Sequence, residues 1–533
     1  MQKIILATLN IHKRASIHLA LYLLKGYFLK HSEFNELVEI EILDFSIQDK
    51  KEDIVSEILK KNPEIVGFSC YMWNIIMIQD ICKLLKIRDK NLKIILGGPE
   101  VSARDKEILF NNSKVDFIVR GEGEKSFMEL IECIVKKGDI SKVLGVSYRD
   151  FEKVFVNEKR ENIIDLDEIP SPYLQGLVLN PKYYEGVCTE TMRGCPFKCD
   201  FCYYHKDFST VRYHSLERIE KELEFILKRK PMDVYLMDPT FNIDNKRAKD
   251  VLRIFIKYNR GSTLHVELKA ELLDEEMIIL LHKANVNLIE IGIQSINDKT
   301  LKLINRHFDM EKFKQNMTLL KRYEDNKNYQ ISLLDGLPNE SYDDFKKSLD
   351  FVVKLLPSSI LIMVLSLLPG TKLRDNAKSL GIKYEEKSPY HVIETSHLTK
   401  EDLEKIHHLR FSLFSLYNNG FMKKSLVLVS NELGISPSTI LEDWYRFVDD
   451  YSKSFEKKKG LLPMLFLDYL CKYYCFNGDF NRLKEELKEE MLNAGKKFSF
   501  DINQQVLKNL EDFKNKRDWS SLYANFKFSP NSS

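Results

Sequence analysis

Residues 192–204 read Met-Arg-Gly-Cys-Pro-Phe-Lys-Cys-Asp-Phe-Cys-Tyr-Tyr, and the cysteines at 195, 199 and 202 decide how the rest of the chain is read. Three thiolates at C-x3-C-x2-C can ligate three irons of a [4Fe–4S] cluster and leave the fourth iron open. Structural zinc sites and electron-transfer ferredoxins normally close every position with protein ligands. An open iron must bind something else. A zinc site and incidental thiols are the competing readings, and the residues downstream decide between them.

Those residues alternate between two periodicities. Helical patterns at 216–228, 247–258, 274–283, 310–323 and 342–355 are interleaved with short apolar runs at 233–237, 263–268, 286–291, 330–334 and 360–367. About six βα units in a row predict a full or partial barrel over residues 181–398, with Cys195, Cys199 and Cys202 in a loop at its mouth, where catalysis in such barrels sits. Upstream, residues 1–150 show a second α/β alternation, with strands at 3–9, 38–45, 65–70, 92–96 and 115–119. That pattern predicts a doubly wound parallel sheet whose ligands bind beyond the carboxyl ends of the strands. The loops there are 71–74, Gly-Gly-Pro-Glu-Val-Ser-Ala at 97–103 and Arg-Gly-Glu-Gly-Glu-Lys-Ser-Phe at 120–127. Residues 151–180 read as a linker. From about Thr399 strands stop, and residues 399–533 read as an all-α extension with helices at 401–417, 441–453, 462–474 and 482–494.

Composition narrows the function. The 533 residues are 44% hydrophobic and 30% charged, which is globular and excludes wholesale disorder. Lys+Arg 81 against Asp+Glu 79 leaves a net charge of +2, so no global field draws the chain to polymeric nucleic acid or an acidic membrane. No run approaches the roughly 20 apolar residues of a membrane span, and the N-terminus turns polar after one short apolar run. A cytoplasmic protein with free or metal-bound thiols is therefore expected. Cys70, Cys82, Cys133, Cys471 and Cys475 lie in apolar or aromatic stretches and are expected to be core residues.

The octapeptide Cys195–Cys202, with Phe201 just before the last cysteine, resembles the signature of the radical S-adenosylmethionine (SAM) superfamily. That resemblance implies a [4Fe–4S] cluster whose open iron binds SAM. One electron, from a donor such as flavodoxin or ferredoxin, then cleaves SAM to methionine and a 5′-deoxyadenosyl radical. Downstream, Glu267 in HVELKAE, Gln294 in EIGIQSIN, Arg306 in LINRHFD and Asp335 in SLLDGLPNE resemble the SAM-contacting set of the branch containing coproporphyrinogen dehydrogenase. The resemblance implies that Arg306 pairs with the SAM carboxylate, that Gln294 and Asp335 hold the ribose, and that Glu267 lies near the amino end. A guanidinium fork suits a carboxylate, and ribose hydroxyls want amide or carboxylate acceptors. The turn MDPTFN (237–242) stands where the family has a Gly-Gly-Glu-like turn; its glycines are absent, and Asp238 is the cofactor-binding candidate there.

A doubly wound domain ahead of the barrel, carrying GGPEVSA and RGEGE, resembles the cobalamin-binding-domain subclass, as do GLPNES, LLPGTKL and SPYHV further on. Cobalamin itself stays open. The Asp-x-His-x-x-Gly motif that ligates cobalt in some cobalamin proteins does not occur, His12 lacks its flanking pattern, and Trp73 could fill the space a corrin would take. With its helical extension the chain also resembles a clostridial branch of the subclass that includes the queuine lyase of queuosine salvage. That likeness implies a small-molecule substrate, queuosine 5′-phosphate, and release of queuine without cobalamin; a cobalamin-dependent methyltransferase or cyclase is the alternative. Glu122, Glu124 and Asp238 are candidates for holding the base by their loop positions, against a plainer reading as helix caps or solvated charges. Lys457, Lys458 and Lys459 read as a solvated turn.

Overall fold

The computed structural model describes residues 2–11, 17–178, 186–207, 210–323, 328–419, 422–451 and 462–495. His12 and Lys457, Lys458 and Lys459 lie outside the described residues. The chain divides into two compact units, one of Met1–Val286 with Ser366–Asn376 and Glu385–His391, the other of Asn287–Leu365, Ala377–Tyr384 and Val392–Ser533.

The first unit opens with the doubly wound sheet. Its strands are β1 (Gln2–Asn10), β2 (Val38–Ser46), β3 (Ile65–Ser69), β4 (Lys93–Gly97), β5 (Phe117–Val119), β6 (Val146–Asp150) and β7 (Lys153–Val156). They lie in the order β2-β1-β3-β4-β5-β6-β7, with β1 to β5 parallel and β6 and β7 antiparallel. Strands such as Ile-Val-Gly-Phe-Ser at β3 are buried throughout, as a parallel sheet covered by helices on both faces demands. The order reverses between β1 and β3, which marks the ligand crevice of this topology. Two apolar layers flank the sheet, one around Ile78, Leu85 and Leu96, the other around Phe28, Ile131 and Val146.

The same unit then supplies the first half of the barrel. β8 (Gly186–Thr189) pairs in parallel with β11 (Asp233–Leu236), and β11 with β12 (Thr263–Leu268). Between β8 and β11 lies a two-residue antiparallel ribbon of β9 (Met192–Arg193) and β10 (Arg212–Tyr213). Helices enter on side-chain caps, Ser215 accepting from Arg218 N–H, Asp244 from Arg247 N–H and Asp274 from Met277 N–H, each satisfying an orphan donor of the first turn.

The second unit carries the other three strands of the partial (βα)6 barrel. β13 (Val286–Gln294), β14 (Asn328–Asp335) and β15 (Ser359–Val364) are parallel neighbours, with a bulge in β13 between Gly292 and Gln294. The helices Tyr342–Lys354 and Lys400–Ser412 both begin with reciprocal capping boxes, Ser341 with Asp344 and Thr399 with Asp402. Over its described residues the extension is helical, with one further helix, Lys423–Leu433, between the first two of those expected. The expected helix 401–417 is two pieces, because the backbone widens to a π-helix over Leu413–Asn418. Cys471 is buried, but Cys475 is exposed at φ 49°, past the end of the helix Leu462–Tyr473, which corrects the expectation of two core thiols. Among the described residues no helix is long and apolar enough to cross a membrane.

Candidate active site

The cysteine loop hangs from the β9–β10 ribbon. Gly194 sits at φ 106°, and a Cβ there would run into the carbonyl of Thr210, so the two legs of the loop close only with glycine at that position. Cys199 is buried, whereas Cys195 and Cys202 are partly exposed, and the Cys202 N–H donates to the Cys199 carbonyl at 3.0 Å. Phe201 is half-buried beside them. Asp200 anchors the loop through an ion pair to Lys372 at 3.1 Å and through its carbonyl, which accepts from Leu373 N–H at 2.9 Å. The LLPGTKL segment thus braces the cysteines. Among the described residues no three His, Cys, Asp or Glu side chains converge on one ion position. Three thiolates that each take a different iron need no such convergence.

Asp238 lies one strand away and is fully buried. Its Oδ1 accepts from the N–H groups of Thr191 and Met192 at 2.7 and 3.2 Å, and its Oδ2 from the Thr191 hydroxyl. Burial pushes its carboxyl up to about 6 in spite of those donors. Both oxygens are therefore occupied in pinning the chain that leads into the cysteine loop. Nothing in the sequence signals this bracing role, which stands beside the expectation that Asp238 meets a cofactor. The turn that lacks the family's glycines is held differently, by Asn242, whose side chain donates to the Lys269 carbonyl at 2.9 Å and accepts its N–H at 3.0 Å. Glu267, at the end of β12, accepts from the Tyr235 hydroxyl, and its carbonyl accepts from Phe241 N–H at 2.8 Å.

Glu122 stands at the N-cap of the helix Gly123–Lys136 and Glu124 in its first turn, but the Glu122 side chain makes no cap hydrogen bond and neither carboxylate is solvated. Arg193 donates to Glu122 at 3.2 Å, to Glu124 at 2.7 Å and to Glu190 at 2.9 Å. Arg212, opposite it on the ribbon, makes a bidentate pair with Glu122 at 2.8 and 3.0 Å. The guanidiniums and both loop glutamates are under 9% exposed. Burial alone would raise the Glu190 carboxyl, but Arg193 and His214 hold it at about 2. These carboxylates are consumed by arginines and do not wait for a substrate.

In the second unit, Gln294 and Arg306 meet around Gly292. The Arg306 guanidinium donates to the Gly292 carbonyl, and a Cβ on Gly292 would come within 2.5 Å of the Gln294 amide nitrogen. Gln294 ends β13 at φ 71°, and its Oε1 is buried without a hydrogen-bond partner. Asp335 ends β14; it accepts from Leu365 N–H at 3.3 Å and from the guanidinium of Arg410, a residue with no signal in the sequence. Glu340 is the other unforeseen group. It is fully buried, accepts from the Ser295 hydroxyl through Oε1, and has an Oε2 with no partner. Burial pushes its carboxyl from 4.5 up to about 8. Its contribution to stability is accordingly full below pH 4.5 and is lost as the pH rises through about 8. Glu340→Gln should remove that loss. Between pH 6 and pH 9 the variant should gain on the parent protein by a difference on the order of 3 kcal/mol, read from urea midpoints. A difference that does not change with pH would dismiss the buried neutral carboxyl.

At the carboxyl edge of the first sheet, Tyr71 stacks on the half-exposed Trp73 at 4.4 Å and meets His18 edge-on at 5.7 Å. Asn74, fully buried, donates to the carbonyls of Leu9 and Ser69 and ties β1 to β3 at the crevice. The His18 imidazole is pushed down to about 4 by burial, and its Nδ1 finds no partner beyond its own backbone. In the second loop Glu100 is buried, accepts from the Tyr390 hydroxyl and pairs with Arg104 at 2.8 Å. In the third, Gly121 turns at φ 67° with open space where a Cβ would stand.

Two matches fall on these two layers. Residues 189–352 match the radical SAM superfamily, and residues 17–131 match the B12 binding domain. The chain carries a B12-binding domain followed by a radical SAM domain. An uncharacterized methyltransferase of Pyrococcus horikoshii is 25% identical over 392 residues, 71% of this chain and 84% of that protein. TokK, a cobalamin-dependent radical SAM methyltransferase of Streptomyces tokunonensis, is 32% identical over 192 residues, which is 34% of this chain but 28% of that protein. Among solved structures, the radical enzyme OxsB with aqua-cobalamin and SAM bound shares the fold at a TM-score of 0.65 and 18% identity, covering 97% of this chain and 81% of that one.

A radical SAM domain implies a [4Fe–4S] cluster and SAM, and the donor set fits both. The three thiolates share one braced loop, and the unpartnered Oε1 of Gln294 is a buried acceptor that a ribose hydroxyl would satisfy. The B12-binding domain also fits its ligand. The carboxyl edge of its sheet presents open space at Gly121, and a neutral imidazole at His18.

Proposed function

We propose that the protein is a cobalamin-dependent radical SAM methyltransferase acting on a small molecule. The observation that carries this is the presence in one chain of a B12-binding domain, with open space at Gly121 on the carboxyl edge of its sheet, and a barrel with a C-x3-C-x2-C loop. The relatives named as methyltransferases support the reaction class. When bound, the cofactors supply one-electron cleavage of SAM and transfer of a methyl group. The chain's own residues do the rest. Cys195, Cys199 and Cys202 take three irons and leave one for SAM. Arg306 offers its fork to the SAM carboxylate, Gln294 and Asp335 accept from the ribose hydroxyls, and Glu267 accepts near the amino end. The loops at 71–74, 97–103 and 120–127 hold the corrin. The methyl acceptor is a small molecule, and the electron comes from a carrier of the flavodoxin or ferredoxin kind.

The queuine lyase reading rests on overall likeness, and no residue of the site selects queuosine 5′-phosphate. One anaerobic experiment separates the two. The protein is reconstituted with iron and sulfide, mixed with hydroxocobalamin, desalted, and supplied with SAM, a reductant and a panel of small acceptors that includes queuosine 5′-phosphate. Retained corrinoid absorbance, with S-adenosylhomocysteine formed alongside 5′-deoxyadenosine, is the expected result. Free queuine with 5′-deoxyadenosine and no retained corrinoid would replace the methyltransferase with the lyase.

A further inference from the structure

Arg193 stands two residues before Cys195, and Arg212 faces it on the ribbon that closes the cysteine loop. Neither guanidinium is held mainly by its own strand. Their carboxylates come largely from Glu122 and Glu124, the N-cap and a first-turn residue of the helix Gly123–Lys136, which follows β5 at the carboxyl edge of the first sheet. Glu122 is the hub. One oxygen receives both arginines, and the other receives Arg212 and the Ile163 N–H at 2.9 Å. Four charged side chains this deeply buried are a costly way to join two loops, and removing one charge leaves its partners uncompensated.

We propose that Glu122 and Glu124 are positioning residues for the iron–sulfur loop, and that through them the loop is linked to the occupancy of the B12-binding crevice. A ligand settling against Gly121 bears on the backbone that carries both glutamates, and each glutamate bears on an arginine at the foot of the cysteines. This rests on the cysteine loop holding the cluster, as proposed above.

The test follows cluster retention and spectrum. Glu122→Gln and Glu124→Gln keep shape and remove charge. Glu129→Gln, on the same helix but paired with Arg160, is the control. Iron release to a chelator should quicken about tenfold in the first two variants and stay unchanged in the control. The SAM-induced shift of the reduced cluster's electron paramagnetic resonance signal should weaken in the same two. Parent-like release and signal in both would overturn the positioning role. Should those variants not fold, the parent protein still decides the link. Hydroxocobalamin should slow its iron release, and equal rates with and without the corrinoid would overturn the proposal. A parent protein that assembles no cluster would instead sink the assignment of the cysteines.

Discussion

Cys202→Ala should reduce 5′-deoxyadenosine formation from SAM to background while leaving the protein folded. Cys202 is partly exposed, and its own N–H, not its thiol, makes the turn to the Cys199 carbonyl. Loss of the sulfur therefore leaves the loop's backbone bond intact. What is lost is one of three ligands for a cluster of four irons, and two thiolates do not hold such a cluster against solvent. Changes in residues that merely support a metal ligand typically cost 10–100-fold, so loss of a ligand should cost at least about 100-fold in turnover. Iron content and the absorbance of the reconstituted protein should fall with activity. Cys475→Ala, exposed and remote in sequence, should change neither. Turnover retained by Cys202→Ala would mean that the cluster is not held by this loop.

The cysteines were legible because their chemistry lies in local spacing. The first sheet was legible for a similar reason, since a strand buried on both faces reads as an unbroken apolar run, as residues 65–69 do. The β6–β7 hairpin was not, because Val-Ser-Tyr-Arg-Asp and Lys-Val-Phe-Val are short, half-polar edge strands that look like connecting chain. Side-chain partners that are distant in sequence were not foreseen. Glu122 and Glu124 looked solvated because charged loop residues usually are, and nothing near them in sequence announces Arg193 or Arg212. Asp238 looked like a ligand because it stands at a strand end. Its donors, Thr191 and Met192, come from the neighbouring strand's exit. Charge at a loop tip is visible in a sequence; the partner that buries it is not.

Arg410→Ala is the substitution expected to damage stability most. Arg410 is 6% exposed on the helix Lys400–Ser412, its Nε donates to the Ile362 carbonyl at 2.8 Å, and its terminal nitrogen donates to Asp335, 75 residues earlier. Asp335 is itself buried at 4% exposure. Breaking a buried pair from one side leaves a charge in a medium that solvates it poorly, at about 3–5 kcal/mol. Arg410→Lys keeps the charge but not the fork that serves a carbonyl and a carboxylate together, and should lose less. The double change Arg410→Leu with Asp335→Asn should recover part of the loss, because neither charge then remains. Denaturant midpoints for the parent, Arg410→Leu, Asp335→Asn and the double variant close a cycle, and additive losses would show that the pair is not coupled. The cycle also separates structure from cofactor binding. If Asp335 holds the SAM ribose, the double variant should regain stability while its KM for SAM stays raised. Recovery of both together would assign Asp335 a purely structural role. The pair further explains why the extension packs in one compact unit with β13, β14 and β15 and forms none of its own: a helix whose arginine closes the carboxyl end of a barrel strand cannot leave without exposing that charge.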